Sequence, residues 1–394
     1  MPKKLLIFSL AYFPHLVGGA EIAVKEITDR ISTNEMEFDM ITLYAGKSRY
    51  ERIGNINVYR VGPHIQIIGN SVPKISYIIK FQYVISAFFK AIFLQHKRKY
   101  DLIWSIMASF NGFSALFFKT FYKKIPFLLT LQEVDSLEHI KKSLGIMYPL
   151  YLKIFEKANR IQAISNFLAD FGKKMGAKCP ISVIPNGVNI NLFKEKPSTG
   201  QMKALIHELG LSPFDTILIT TSRLVAKNAI GDIIDSLVYL NDNIKLLIIG
   251  TGPQEKLLKD KTKLLKLENR VRFVGFVPNK EIPIYLHISN IFIRPSLSEG
   301  FGISFVEAFA AEIPVIATPV GGILDFLEDG KTGVFCKVNN PKSIADSVEK
   351  ILNNEQLRIN IIKSAKDIVK QRYDWDIIAN DMKDEIFASL GTKC

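Results

Sequence analysis

Cysteine is scarce. The three in 394 residues, Cys179, Cys336 and Cys394, cannot build a disulfide framework and have no metal-ligand spacing, which fits a reduced, cytoplasmic setting. The six histidines are scattered, with no i, i+4 pair and no Cys/His cluster, so a protein-built zinc site is not expected. The N-terminal apolar run Leu5–Phe8 is too short for a signal peptide and lacks a small-residue cleavage site. No fixed-period repeat or low-complexity segment is present, which argues against solenoids and disordered tails. Acid is scarce in one half only. Residues 1–190 carry 25 Lys/Arg against 13 Asp/Glu, a net of +12, whereas residues 191–394 carry 26 against 25. An anionic partner is therefore expected for the first half. With no helix-turn-helix, zinc-finger or RNA-binding signature, nucleic acid is not expected, and the anionic membrane face is the other candidate.

What is present is an alternation of short apolar runs and helical patterns. Leu5–Phe8 reads as a buried strand, followed by the loop Tyr12–Gly19 and a helix over Ala20–Ile31. Short strands and turns are expected over Phe38–Val61, then strands at Asp101–Ser105, Phe127–Leu131, Arg160–Ile164 and Ser182–Ile184. After the polar connector Asn191–Gly200 the pattern restarts, with strands at Thr216–Thr220, Lys245–Ile249, Val271–Phe273, Asn290–Ile293, Val315–Ala317 and Val334–Cys336. Strands alternating with helices predict parallel sheets, hence an α/β protein of two Rossmann-like halves facing one another across a cleft, joined near Pro185–Lys196.

Chemistry concentrates after the strand at Asn290–Ile293. Glu299 and Glu307 flank Gly300-Phe301-Gly302, and Ile303 opens a helical pattern. Open α/β sheets bind ligands outside the carboxyl ends of their strands. A helix N-terminus offers unpaired N–H groups to a phosphate, and glycines let the backbone approach a ligand. Taken alone, two Glu at this spacing also fit a surface loop with a solvated helix acid.

The whole segment S-x-x-E-G-F-G-x-x-x-x-E-A resembles the E-x7-E motif of the retaining glycosyltransferases of family 4. The order of elements resembles that family's GT-B architecture over essentially the full chain. The resemblance implies an acceptor-binding domain over 1–190, completed by a C-terminal helix from about 374 to 394 that crosses back onto it, and a nucleotide-sugar donor domain over 191–373. It places Glu299 near the donor sugar and Glu307 on the ribose, with Gly300, Phe301, Gly302 and Ile303 lining the site. Further segments match. Gly18 and Gly19, followed by Glu21, resemble the family's G-G-x-E turn; Arg223 resembles its diphosphate clamp; Gly250 and Gly252 stand in its G-x-G-P turn; Val277 stands beside the nucleotide base; and Pro185–Asn189 resembles its hinge.

Two positions depart. The family's phosphate-binding lysine comes one place early, at Lys227, and its usual following glycine is Ala229. The family histidine that contacts the sugar is Gln132, which can donate and accept hydrogen bonds but cannot titrate; Glu133, Asp135 or His139 could share its task. Asp374-Trp375-Asp376 spells a D-x-D metal signature, but it sits at a helix start, where Asp is favoured as a cap.

The resemblance implies a metal-independent hexosyltransferase with Glu299, Arg223, Lys227 and Gln132 as catalytic candidates. The donor would be UDP- or GDP-linked and the acceptor a glycan or lipid-linked hydroxyl. No cofactor is expected. Same-fold alternatives are a sugar phosphorylase or an epimerase; Gln132 and the displaced lysine suggest, from another class, a non-catalytic, membrane-docked sugar-nucleotide binder. Finally, Lys74–Lys99 interleaves Lys74, Lys80, Lys90, Lys97, Arg98 and Lys99 with a dense apolar series and no acid, and Phe113–Phe127 repeats the mixture. Lys80 and Lys90 interrupt the ~20 apolar residues a spanning helix needs. Two readings stay open: an interfacial helix at the inner membrane face, or a core helix with a solvated basic face.

Overall fold

The run Lys3–Phe8 forms β1, with its last four residues buried. In chain order the strands that follow are β2 (Met36–Ala45), β3 (Tyr50–Ile53), β4 (Ile56–Ile65), β5 (Leu102–Ile106), β6 (Phe127–Leu131), β7 (Arg160–Ala163) and β8 (Ile181–Val183). They pair in the order β3-β4-β2-β1-β5-β6-β7-β8, parallel except for the β3–β4 hairpin. Ile7 lies opposite Met40 on one side and Trp104 on the other. These facts come from a computed structural model that describes residues 2–65, 76–133 and 137–390. Lys74, Asp135 and Cys394, singled out above, lie outside the described residues.

Beside this sheet run α1 (Gly19–Asp29), α2 (Tyr77–Arg98) and α3 (Phe110–Phe121). Ser76 caps α2 by accepting from Ile79 N–H at 3.4 Å, and Lys99 ends it in the left-handed conformation. One stripe of α2, including Tyr83, Ala87, Ala91 and Leu94, is buried against the strands. Contrary to the expectation above, the helix is by length and mean hydropathy sufficient to cross a bilayer. Here it packs along the sheet instead, and Tyr83 Oη lies 3.2 Å from the carbonyls of both Ser9 and Ile41.

The first half corrects the sequence reading at two places. Where short strands and turns were expected, β2 and β4 are each ten residues long. Their alternation is broken by Asp39, which is buried but satisfied: it accepts from Asn57 at 2.8 Å, Arg98 at 3.1 Å and Tyr100 Oη at 2.5 Å. Arg98, counted above in the basic run Lys74–Lys99, also pairs with Glu37 at 2.7 Å and thus belongs to this internal network.

The second sheet contains β9 (Thr216–Thr221), β10 (Ile244–Ile249), β11 (Val271–Gly275), β12 (Ile291–Arg294), β13 (Val315–Ala317) and β14 (Val334–Phe335). All are parallel, in the order β11-β10-β9-β12-β13-β14. The order reverses between β9 and β12, which is where doubly wound sheets bind ligands.

The chain forms two units, Met1–Asn186 with Trp375–Cys394, and Gly187–Asp374. The C-terminal helix Trp375–Asp381, extended by the π-helical turn Met382–Phe387, thus returns to the first unit. There Ile378, Met382, Ile386 and Phe387 are buried among Leu5, Ile7 and Phe38, each contributing about 1.5–3 kcal/mol of apolar burial. Asp376, the second acid of the D-x-D sequence, accepts from Arg30 at 2.6 Å and tethers this helix to α1.

Candidate active site

The reversal point of the second unit collects charged side chains from two strands. Leaving β9, the chain exposes Arg223, whose side chain makes no ion pair among the described residues. Its carbonyl accepts from Asn228 Nδ2 at 2.6 Å, which draws the following turn back on the strand end. Lys227 sits in that turn, a 3-10 helix over Ala226–Asn228. Its carbonyl accepts from Leu297 N–H at 2.7 Å. The displaced lysine is therefore fastened by its backbone to the loop that leads to Glu299. Ala229, at the place of the family's glycine, keeps the left-handed backbone with φ +50°.

Gly250 and Gly252 follow β10. A Cβ on Gly250 would stand 2.0 Å from the Ser222 carbonyl oxygen, and one on Gly252 would stand 2.3 Å from that of Leu224. Leu224 N–H donates to Thr251 at 3.0 Å, and Gln254 N–H donates to Leu224 at 3.1 Å. These glycines let one loop close onto another and so position the Arg223 loop. Half-buried Val277 follows β11.

From β12, Arg294 turns its guanidinium into the Glu299 loop. It pairs with the Glu299 carboxylate, donates to Ser304 Oγ at 2.7 Å and to Ser296 Oγ at 3.2 Å, and lies over the Phe305 ring. Both members of the Arg294–Glu299 pair are nearly buried, so the carboxylate has a fixed orientation rather than a solvated one. Gly322 N–H holds the Glu299 carbonyl at 2.9 Å. Gly302 caps the helix Ile303–Ala310 with φ +86°, a backbone that glycine adopts without the steric cost other residues carry. Phe301 is not a ligand-facing side chain: its ring packs against Phe326 and Tyr373 in the core, leaving only its backbone toward the loop. Gly300 and Ile303 are half-buried at the same turn.

Glu307 is buried on that helix, and Asn279 Nδ2 donates to its Oε1 at 2.8 Å. Burial pushes its pKa up to about 7, opposed by the Asn279 hydrogen bond and the positive charge of Arg294. Arg294 thus acts on both acids of the motif. Neither Arg294 nor Asn279 stood among the site residues expected from the sequence; a charged residue closing an otherwise apolar strand was the available signal for the first, and none marked the second.

In the first unit, Gly18 and Gly19 are exposed between β1 and α1. Gly18 N–H donates to the Glu21 carboxylate at 2.7 Å. Burial raises the pKa of Glu21 to about 7 against the opposing backbone hydrogen bonds, with a smaller push from Glu133. Gln132 is buried and exchanges two hydrogen bonds with Asn186, at 3.1 and 2.7 Å. It ties the end of β6 to the segment where the first unit ends; one donor and one acceptor site of its amide remain. His139 lies exposed on the helix Leu137–Leu144.

Two parallel α/β units with this order of elements are the plan of GT-B glycosyltransferases. A solved structure of HepE from Anabaena, in complex with UDP and glucose, superposes with a TM-score of 0.79 at 20% identity, covering 98% of this chain and 100% of that one. Residues 17–192 match the family described as Glycosyltransferase Family 4, and residues 202–368 match Glycosyl transferases group 1. An uncharacterized glycosyltransferase of Methanocaldococcus jannaschii is 26% identical over 96% of both chains. The alpha-monoglucosyldiacylglycerol synthase of Acholeplasma laidlawii is 29% identical over 47% of each. The chain belongs to glycosyltransferase family 4 and is a glycosyltransferase.

Proposed function

We propose that the chain transfers a hexose from a UDP- or GDP-linked donor to a hydroxyl of a lipid-linked or cell-envelope acceptor, with retention at the anomeric carbon and without a metal. The observation that carries the reading is the clustering of Arg223, Lys227, Arg294–Glu299 and Glu307 on the loops and helix at the reversal point of one sheet. In the reaction the bond from the anomeric carbon to the diphosphate oxygen breaks. The acceptor oxygen bonds to that carbon, and its proton leaves with the diphosphate. The departing group gains negative charge, which Arg223, Lys227 and the N–H groups following Gly302 can stabilise. Glu299, held by Arg294, orients the sugar and stabilises the charge developing on it. Glu307 takes the ribose hydroxyls, and Asn279 yields to them.

The nucleotide reading is supported by the HepE structure holding UDP and glucose. The lipid acceptor is supported by the name of the Acholeplasma relative, whose product is a glucosylated diacylglycerol. Thermal stabilisation by UDP, GDP and ADP, measured in EDTA, tests the donor side. UDP or GDP should raise the melting temperature. No shift with any nucleoside diphosphate, or a shift that requires a divalent cation, would overturn the reading.

A further inference from the structure

The buried stripe of α2 leaves the opposite side of the helix uncovered. Ile78, Phe81, Ile85, Phe89 and Phe93 follow one another at three- and four-residue spacing and are 46–72% exposed. Phe121 at the end of α3 is 70% exposed, and Phe88 bridges to it with ring centroids 5.3 Å apart. The apolar stripe thus runs across two helices. Contiguous exposed apolar surface of this kind marks a protein or membrane contact.

Charge selects between them. Residues 76–124 hold eight Lys/Arg and one acid, Asp101. Arg98 is spent on Glu37 and Asp39, and Lys119 donates to the carbonyls of Lys123 and Ile125. Lys97, Lys99, Lys123 and Lys124 are exposed. Lys90 lies over the rings of Tyr59 and Phe93, and Lys97 over Phe93. Burial and the neighbouring Lys97 push the Lys90 pKa down, so the isolated protein holds these like charges together at a cost that an anionic partner removes. Beside the stripe, Arg49 and Lys90 line one groove with Gly62, Pro63, Gln82 and Phe89.

We propose that the outer face of α2 and the end of α3 form a docking surface for an anionic lipid bilayer, with a headgroup phosphate received between Arg49 and Lys90. The helix lies in the plane of the interface: its other stripe is committed to the sheet, and Tyr83 fastens it at the carboxyl end of β1 and the middle of β2. This inference goes beyond the transfer reaction and does not depend on the donor or acceptor reading.

Sedimentation of the full chain with phosphatidylglycerol-containing and pure phosphatidylcholine vesicles tests it. Wild type should sediment with the anionic vesicles at low salt and be released as salt rises. Lys90→Gln/Lys97→Gln should lower affinity ~30-fold, at about five-fold per cation near an anionic surface. Phe89→Ser/Phe93→Ser should bind weakly while keeping the wild-type far-UV circular dichroism, because both side chains are exposed. Wild type remaining in the supernatant overturns the proposal without any variant. Equal binding to both vesicle types overturns it as well, and so does a dimer by light scattering that Phe89→Ser/Phe93→Ser abolishes while vesicles go unbound.

Discussion

Glu307 makes the stability of the second unit depend on pH in a direction opposite to that of a salt-bridged acid. Its folded pKa is raised from 4.5 to about 7 by burial. Between these values the native protein binds a proton that the unfolded chain has released, so stability is fully present below pH 4.5 and is lost as pH rises through 7. The shift corresponds to on the order of 3 kcal/mol. Glu307→Gln keeps the shape and removes the titration, so its stability relative to wild type should improve by an amount of that order between pH 4.5 and pH 8.5. Glu21 carries a similarly raised pKa in the first unit, and the difference between the two proteins cancels it. Asn279→Ala isolates the hydrogen bond. At pH 8.5 it leaves a buried carboxylate without its donor, a loss of about 1.5–3 kcal/mol, and at pH 5 the loss should be smaller because the group is already protonated. Denaturant unfolding of the three proteins at pH 5, 7 and 8.5 measures both effects. A Glu307→Gln difference that is flat across this range would refute a buried, protonated Glu307, and an Asn279→Ala loss that is equal at both ends would refute the bond to its charged form.

Arg223→Ala should weaken nucleoside-diphosphate binding by about 1.5–3 kcal/mol with the fold intact, as calorimetric titration would show; unchanged affinity removes the residue from the site. Gly250→Ala places a methyl 2.0 Å from the Ser222 carbonyl oxygen and should displace the Arg223 loop, so diphosphate affinity should fall although no ligand contact is deleted; retained affinity would contradict the positioning role. Ala229→Gly relieves a left-handed alanine, a conformation that costs roughly 1–2 kcal/mol, against a loss of about 0.5–1 kcal/mol in unfolded-chain entropy, so the melting temperature should hold or rise slightly. A clear fall would show that the turn does not strain Ala229.

Much of this was legible in the sequence because it rests on periodicity and punctuation. The buried strands β9, β10 and β12 fall within a residue of their apolar runs, and Gly302 opens its helix where the motif places it. The long β2 and β4 were hidden because Asp39, Asn57 and Arg60 interrupt the alternation, and only the fold supplies the partners that make Asp39 tolerable inside. Gln132 shows the same limit. Its chemistry could be read from its type, but its commitment to Asn186, 54 residues away, could not. Arg294 and Asn279 reach the two motif acids through side-chain geometry that spacing does not encode. The ion pairs of Arg98 were hidden for a related reason: its acid partners lie on β2, far from it in sequence.

The central claim is that Glu299, clamped by Arg294, acts on the donor sugar in a transfer that needs no metal. Its most direct measurement is diphosphate release from UDP- and GDP-hexoses in EDTA, with donor affinity determined in parallel, for wild type and Glu299→Gln. Wild type should release the diphosphate from at least one donor, and Glu299→Gln should lose turnover far more than donor affinity, the mark of an interaction made mainly in the transition state. Release that vanishes with EDTA and returns with magnesium or manganese, or a Glu299→Gln variant that turns over like wild type, would contradict the account.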